Sequence, residues 1–220
     1  MEKKIKSMAE ALATIDDGAT LMIGGFLAVG TPENLISGLL ERGTRDLTVI
    51  GNDTGFPDRG IGRLVVEKRC RKVIVSHVGT NPETGRQMNS GELEVVLTPQ
   101  GTLAEQVRAG GAGLGGFLTP TGLGTVVAEG KQVLTVNGRD YLLELPLRAD
   151  VALIKAWKAD ESGNLVYRRS AQNFNPLMAL AADLVIAEVE EIVPVGALDP
   201  DEVDTPGLLV DILVQGGGLE

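Results

Sequence analysis

The chain has 220 residues, 20 basic and 30 acidic, for a formal net charge of −10, with 43% hydrophobic and 23% charged residues. That balance suits a globular domain and excludes a disordered chain, while the negative charge repels nucleic acid phosphates and anionic lipid. One cysteine, Cys70, excludes an internal disulfide and a cysteine-built metal site; one histidine, His77, excludes a histidine-rich zinc centre.

The first residues are charged, but Glu10, Asp16 and Asp17 interrupt any signal-peptide core. No apolar run approaches the ~20 residues that span a bilayer. A cytoplasmic protein without membrane or nucleic acid partners is expected. Ser7 and Glu10 have the spacing of a capping box, which predicts a helix over 7–14. Asp17-Gly18 is a turn, and 20–23 is a short apolar strand broken by Gly24-Gly25. Thr31 is the expected N-cap of a helix with Pro32 at its first position and Leu35, Ile36, Leu39 and Leu40 as its apolar face. Gly43 ends it.

A second strand over 47–50 leads into the turn at 51–55. Residues 61–69 read as a helix, 72–75 and 94–97 as strands, and 103–108 as a helix that dissolves into glycine. Residues 133–136 and 141–143 flank Asn137-Gly138, a strong hairpin signal. Residues 151–157 and 165–167 flank a turn at 161–164 and suggest a second hairpin. Asn175-Pro176 opens a helix to 182, and 184–189 is another strand. Glu190-Glu191 read as a solvated turn. Strand-turn-helix alternation with apolar strands predicts an α/β fold on a largely parallel, mixed sheet. Residues 1–216 read as one domain. Residues 217–220 read as a flexible tail, with Leu219-Glu220 resembling a cloning remnant.

Glycine is abundant, 29 residues against a usual share of about 7%, and gathers in clusters of the kind that let backbone approach a ligand. Gly111-Ala-Gly113-Leu-Gly115-Gly116 satisfies G-x-G-x-x-G, but it follows a helix and runs into Pro120, the wrong context for a dinucleotide. A loop facing a ligand or an interface, or a plain surface loop, remains. The cluster Gly24, Gly25, Phe26, Leu27, Ala28, Val29, Gly30 is better placed, between a strand and a capped helix. Free N–H groups and the dipole at that helix start would favour an anion; a plain strand-helix turn is the other reading.

The segment Asp17-Gly-Ala-Thr-Leu-Met-Ile-Gly-Gly-Phe-Leu-Ala-Val-Gly-Thr-Pro32 resembles the signature of family I coenzyme A transferases, fitting every fixed position. The resemblance continues through Ser90-Gly-Glu-Leu-Glu94, Thr98-Pro-Gln-Gly-Thr-Leu-Ala-Glu105, Arg108-Ala-Gly-Gly-Ala-Gly113, Thr119-Pro-Thr-Gly122, Lys155-Ala-Trp-Lys-Ala-Asp160 and Asn173-Phe-Asn175. It covers nearly the whole chain. It is closest to the alpha chain of the acetate/butyrate–acetoacetate branch, through Asn52-Asp53-Thr54 and Ser76-His77-Val-Gly-Thr-Asn-Pro-Glu-Thr-Gly85. Succinate-using 3-oxoacid relatives usually carry a second asparagine where Asp53 stands, so the equivalent chain of a succinate-using enzyme is the alternative.

The resemblance implies a three-layer α/β/α fold with an open mixed sheet. It implies ping-pong transfer of CoA between a short-chain acyl-CoA (acetyl or butyryl) and acetoacetate, through a glutamyl-CoA thioester. Coenzyme A is then a substrate, and no metal or redox cofactor is implied. The nucleophilic glutamate of the family lies in a Ser-Glu-Asn-Gly motif of the beta subunit, which this sequence lacks. A beta partner, in a hetero-oligomer of α2β2 type, would supply it. By the same resemblance Gln100 and Asn52 position substrate, and Gly24, Gly25, Phe26, Leu27, Ala28, Val29 and Gly30 contact CoA. Glu92, Glu94, His77 and Cys70 read as bystanders. Outside this reading stand a sugar-phosphate isomerase-like enzyme and a metabolite-sensing domain of the same broad fold.

Overall fold

The computed structural model describes residues 4–216; the expected tail at 217–220 lies outside the described residues. The first half runs α1 (Met8–Leu12), β1 (Thr20–Ile23), α2 (Glu33–Arg42), β2 (Leu47–Ile50), α3 (Ile61–Val66), β3 (Cys70–Val75), α4 (Pro82–Ser90), β4 (Glu94–Leu97) and α5 (Gln100–Gly111). The second runs β5 (Phe117–Thr119), β6 (Val133–Val136), β7 (Arg139–Glu144), β8 (Ala149–Asp160), β9 (Leu165–Val166), α6 (Asn175–Leu180), β10 (Ala182–Val193) and β11 (Ile212–Gln215).

Seven strands form one parallel sheet in the order β11-β10-β8-β1-β2-β3-β4, and β9 pairs antiparallel to β8. The alternation of side chains along each strand feeds two separate cores. Leu21, Ile23, Val49, Val73, Val75 and Leu153 share one face and meet α1, α2 and α3. Met22, Ile50, Ala152, Ile154 and Val185 face the other way, onto α5 and α6. The result is the expected three-layer α/β/α arrangement. In α2, Leu35, Ile36 and Leu39 are wholly buried, each contributing roughly 1.5–3 kcal/mol.

Several elements differ from expectation. The hairpin around Asn137-Gly138 forms, with both residues at positive φ (51° and 75°), but it builds a separate antiparallel sheet, β5-β7-β6, outside the main one. Buried Glu144 anchors that sheet: Lys131 Nζ donates to it at 2.6 Å and Gln106 Nε2 of α5 at 3.0 Å. Helix α4 is not among the expected elements, although Asn81 caps it, Pro82 begins it and Gly91 (φ 74°) ends it. Strand β10 runs through Glu190 and Glu191, which are not a solvated turn: they pair across the sheet with Lys155 (3.5 Å) and Lys158 (2.9 Å) of β8.

Thr31 is not the cap of α2. Glu188, from strand β10, reaches over instead, and its Oε2 accepts the N–H groups of Asn34 (2.9 Å) and Leu35 (3.0 Å). Its Oε1 accepts from the Asn34 amide at 3.0 Å, and Lys155 lies 3.7 Å away. Burial pushes this carboxyl up from its ordinary value, while the Leu35 N–H and Lys155 hold it down. The helix dipole and the lysine together make a charge tolerable at 1% exposure.

Glu188→Ala should therefore cost about 3–5 kcal/mol, since it leaves two helix donors without their acceptor and the buried Lys155 with only the partly exposed Glu190 as a partner. Glu188→Gln, which keeps one acceptor oxygen, should cost less. Urea unfolding followed by circular dichroism measures both; equal midpoints for wild type and Glu188→Ala would refute the capping role.

Candidate active site

In a parallel sheet every strand ends at the same side, and ligands collect outside those carboxyl ends. Here the turns after β1, β2, β3 and β4 converge on one cavity of about 340 Å³, lined by Phe26, Leu27, Asn52, Ser76, His77 and Gln100. A larger surface hollow, about 560 Å³ around Asp16, Asp17 and Arg42 to Arg45, lies in turns away from these strand ends and gathers none of the expected site residues.

A hydrogen-bonded chain crosses the cavity floor. Asp53 is buried, and its Oδ2 accepts from the Leu27 N–H (2.8 Å) and the Asn52 amide (2.6 Å), while its Oδ1 accepts from the Gly55 N–H (2.7 Å). A carboxylate only accepts, so it forces Asn52 to present its Nδ2 to Asp53 and its Oδ1 outward. That oxygen receives Gln100 Nε2 at 2.6 Å. The orientation of the Gln100 amide is thus set through two residues, and its second N–H remains available to a ligand. Gln100 is the first residue of α5, three positions before the expected helix start, and is exposed; Asn52 is buried.

The 24–30 turn forms the opposite wall. Phe26 and Val29 exchange backbone hydrogen bonds at 3.0 and 2.9 Å, and Leu27 and Ala28 between them take left-handed φ values of 47° and 67°. Non-glycine residues adopt that region at a cost of about 1–2 kcal/mol each, and Asp53 holds the turn by its Leu27 N–H. Behind it, Asn173 Oδ1 accepts from the Gly25 N–H at 3.2 Å and its Nδ2 donates to Val29 O at 3.0 Å. Asn175 Nδ2 donates to Gly30 O at 3.0 Å.

Sequence reading puts Gln100, Asn52 and residues 24–30 in a site, and the structure brings Phe26 and Leu27 to the cavity with both amides. Of the turn's other members, Gly24 and Gly25 are buried behind it. The anion site expected at the start of α2 is not open at Asn34 and Leu35, because Glu188 occupies those donors. Residues 111–116 lead from α5 into β5 and take no part in the cavity lining. Gly110 and Gly111 instead admit Leu147 and Leu180 of this chain; a Cβ there would lie 1.9 and 2.6 Å from their atoms.

Ser76, His77 and Asp53 do not read as site residues from sequence. All three stand in or beside turns that follow apolar strands, the place where an α/β sheet exposes its chemistry. The other candidates stay outside. Burial pushes the Cys70 thiol up to about 12, so it carries no thiolate near neutrality. Arg86, then Lys68 and Ser90, hydrogen-bond Glu92 and hold its carboxyl well below the usual range. Glu94 pairs with Lys72 at 2.8 Å. Among the described residues no three His, Cys, Asp or Glu side chains gather as a metal site, and no helix is long and apolar enough to cross a membrane.

The family profile described as Coenzyme A transferase matches residues 5–216. The chain is 59% identical over 214 residues to the alpha subunit of the acetate CoA-transferase of Escherichia coli, covering 97% of both. It is 49% identical over 220 residues to the equivalent subunit of the succinyl-CoA:3-ketoacid coenzyme A transferase of Helicobacter pylori, covering all of this chain and 95% of that one. Its fold matches that of an Escherichia coli acyl-CoA transferase solved as a thioester complex with CoA, with a TM-score of 0.87 at 24% identity. That match covers 97% of this chain and 47% of the solved one, so the chain spans about half its length.

Asp53→Ala should strip the acceptor from two backbone donors and one amide in a buried place, at about 1–3 kcal/mol for each donor left unpaired. A total loss of roughly 3 kcal/mol or more in denaturant unfolding is expected. An unchanged midpoint would show that the 24–30 turn holds its shape without this carboxylate.

Proposed function

The chain belongs to the coenzyme A transferase family, and on that premise we propose that it is the alpha subunit of a two-chain enzyme moving CoA between a short-chain acyl-CoA, acetyl or butyryl, and acetoacetate. The observation that carries the proposal is the 59% identity, over 97% of both lengths, to the alpha subunit of an acetate CoA-transferase. The equivalent chain of a succinate-using enzyme is the second reading, favoured by the 49% identity to the Helicobacter pylori chain. Asp53 weighs against it, because a fixed negative charge beside the cavity repels the second carboxylate of a dicarboxylic acid.

In the proposed reaction a glutamate of the beta chain attacks the acyl-CoA carbonyl. The CoA thiolate leaves, giving a mixed acyl-glutamyl anhydride. The thiolate then attacks the glutamyl carbonyl, the carboxylic acid departs as its anion, and the glutamate holds CoA as a thioester. A second acid reverses the steps. This chain contributes hydrogen-bond donors and walls. The free N–H of Gln100 donates to the oxyanion that develops on either carbonyl. It does so as a neutral group, which leaves the attacking carboxylate its charge. Asn52 keeps that amide oriented. The 24–30 turn is the proposed CoA contact through its exposed residues Phe26, Leu27 and Val29, with Gly24 and Gly25 supporting it from behind. The beta partner, in an α2β2 assembly of the cytoplasm, completes the site and shields the anhydride from water.

Assayed alone for CoA transfer from acetoacetyl-CoA to acetate, the chain should be inert; robust turnover would defeat the two-chain division. In the two-chain complex Gln100→Ala should raise the barrier by about 2–4 kcal/mol, a rate loss of order 10²–10³, with assembly intact. Incubation of the complex with acyl-CoA and no acceptor acid, followed by hydroxylamine trapping and peptide mass spectrometry, should place the label on the beta chain. Stoichiometric label here, on Glu92, Glu94, Cys70 or elsewhere, would overturn the division of labour.

A further inference from the structure

We infer that His77 is the anchor for the free carboxylate substrate, a specificity residue of the cavity rather than a bystander. The inference rests on the proposed CoA transfer for the identity of the ligand, and on the cavity for everything else. The lining is Phe26, Leu27, Asn52, Ser76, His77 and Gln100, and of these His77 alone can carry a positive charge. A carboxylate entering a chain of net charge −10, past buried Asp53, needs a donor that offsets its desolvation.

The position of His77 is held from both sides. Its carbonyl accepts the Thr54 N–H at 3.3 Å, and its backbone bridges Asp53, so the β2 and β3 turns are joined at this residue. Its ring lies against Gly79, where a Cβ would stand 2.9 Å from Cε1 and 3.1 Å from Nε2. Glycine at 79 is what gives the ring its room. Neither ring nitrogen hydrogen-bonds to another of the described residues, and the side chain is exposed to the cavity. Gln100 and Asn52 have one amide group each committed to the other. An imidazole N–H with no internal partner and one remaining Gln100 N–H line the same cavity, and two donors are what the two oxygens of a carboxylate can use.

The seat distinguishes the two substrates. A thioester carbonyl is neutral and needs only the amide, whereas a free acid brings a full charge and gains from the imidazole. Loss of the His77 donor should therefore weaken the acid and spare the acyl-CoA. A hydrogen bond to a charged group accounts for roughly tenfold or more in affinity.

His77 is the single histidine of the chain, so it can be observed directly. An untagged complex is assembled with histidine labelled by nitrogen-15 in this chain alone and titrated with sodium acetate against sodium chloride of equal ionic strength. A saturable shift of the ring nitrogens with acetate, absent with chloride, is expected; equal responses to both salts would overturn the inference. In steady-state assays His77→Phe, which keeps the ring against Gly79, should raise the KM for acetate about tenfold or more and leave that for acetoacetyl-CoA within about twofold. His77→Gln, which restores a donor, should recover part of the loss. An unchanged acetate KM in His77→Phe, or an equal rise for both substrates, would also overturn it. If the wild-type complex transfers no CoA yet acetate still shifts the ring, the proposed reaction falls and the carboxylate seat stands.

Discussion

The Asn175 side chain can occupy its place only because residue 24 has none. A Cβ on Gly24 would stand 1.7 Å from Asn175 Oδ1, well inside contact distance. From that seat Asn175, with no exposed surface, accepts the Lys155 N–H of β8 at 3.1 Å and donates to the carbonyls of Gly30 and Ala171. One buried amide thus ties the sheet, the 24–30 turn and the segment before α6. Gly25 admits Thr31 in the same way, with Oγ1 2.0 Å from where a Cβ would be. Two of the signature glycines therefore serve packing from behind. Their effect on the cavity is indirect: they let a polar clamp hold a strained turn whose other face, Phe26 and Leu27, is left for a ligand.

Acidic residues are in excess, yet the carboxylate that borders the cavity and the other candidate carboxylates are already engaged. Glu188 is committed to the start of α2, Asp53 to Leu27, Asn52 and Gly55, and Glu92 and Glu94 to surface cations. A buried carboxylate fixed by several internal donors cannot reach an acyl carbon without leaving those donors unpaired. The cavity is left with neutral donors and one imidazole. Such a surface suits a carboxylate that arrives from outside, whether substrate or a partner's side chain, better than one that resides there.

Local signals carry far along this chain. The capping box at Ser7 and Glu10, the Asn137-Gly138 turn and the apolar spacing of Leu35, Ile36 and Leu39 appear as read, because each depends on residues within one or two turns. What escapes is tertiary. Thr31 reads as a cap, but a carboxylate 154 residues distant from Asn34 does the capping. Glu190 and Glu191 read as solvated because the sequence around them cannot reveal that lysines stand opposite on β8. The hairpin at 133–143 is legible as a hairpin and not as part of its own sheet. Gln100 and Asn52 are legible as candidates through the family resemblance. The ordering effect of Asp53 and the placement of His77 are not, since both follow from strand order, which no local window contains.

Strand order also explains why the cavity is open on one side. Four adjacent strands, β1 to β4, bring their turns into one row, so walls come from turns and the floor from buried polar groups. Phe26, Leu27 and Val29 remain 42%, 37% and 49% exposed, three apolar side chains on the rim of a polar floor. An anhydride or glutamyl thioester formed over such a floor would meet water before its proper nucleophile, the CoA thiolate for the one and a second acid for the other, because water is by far the more concentrated. Transfer in preference to hydrolysis therefore requires a cover over the rim, and apolar rims gain roughly 25 cal/mol for each Å² they lose from water. The exposed side chains that leave the cavity uncovered are the same ones that would reward the surface that closes it.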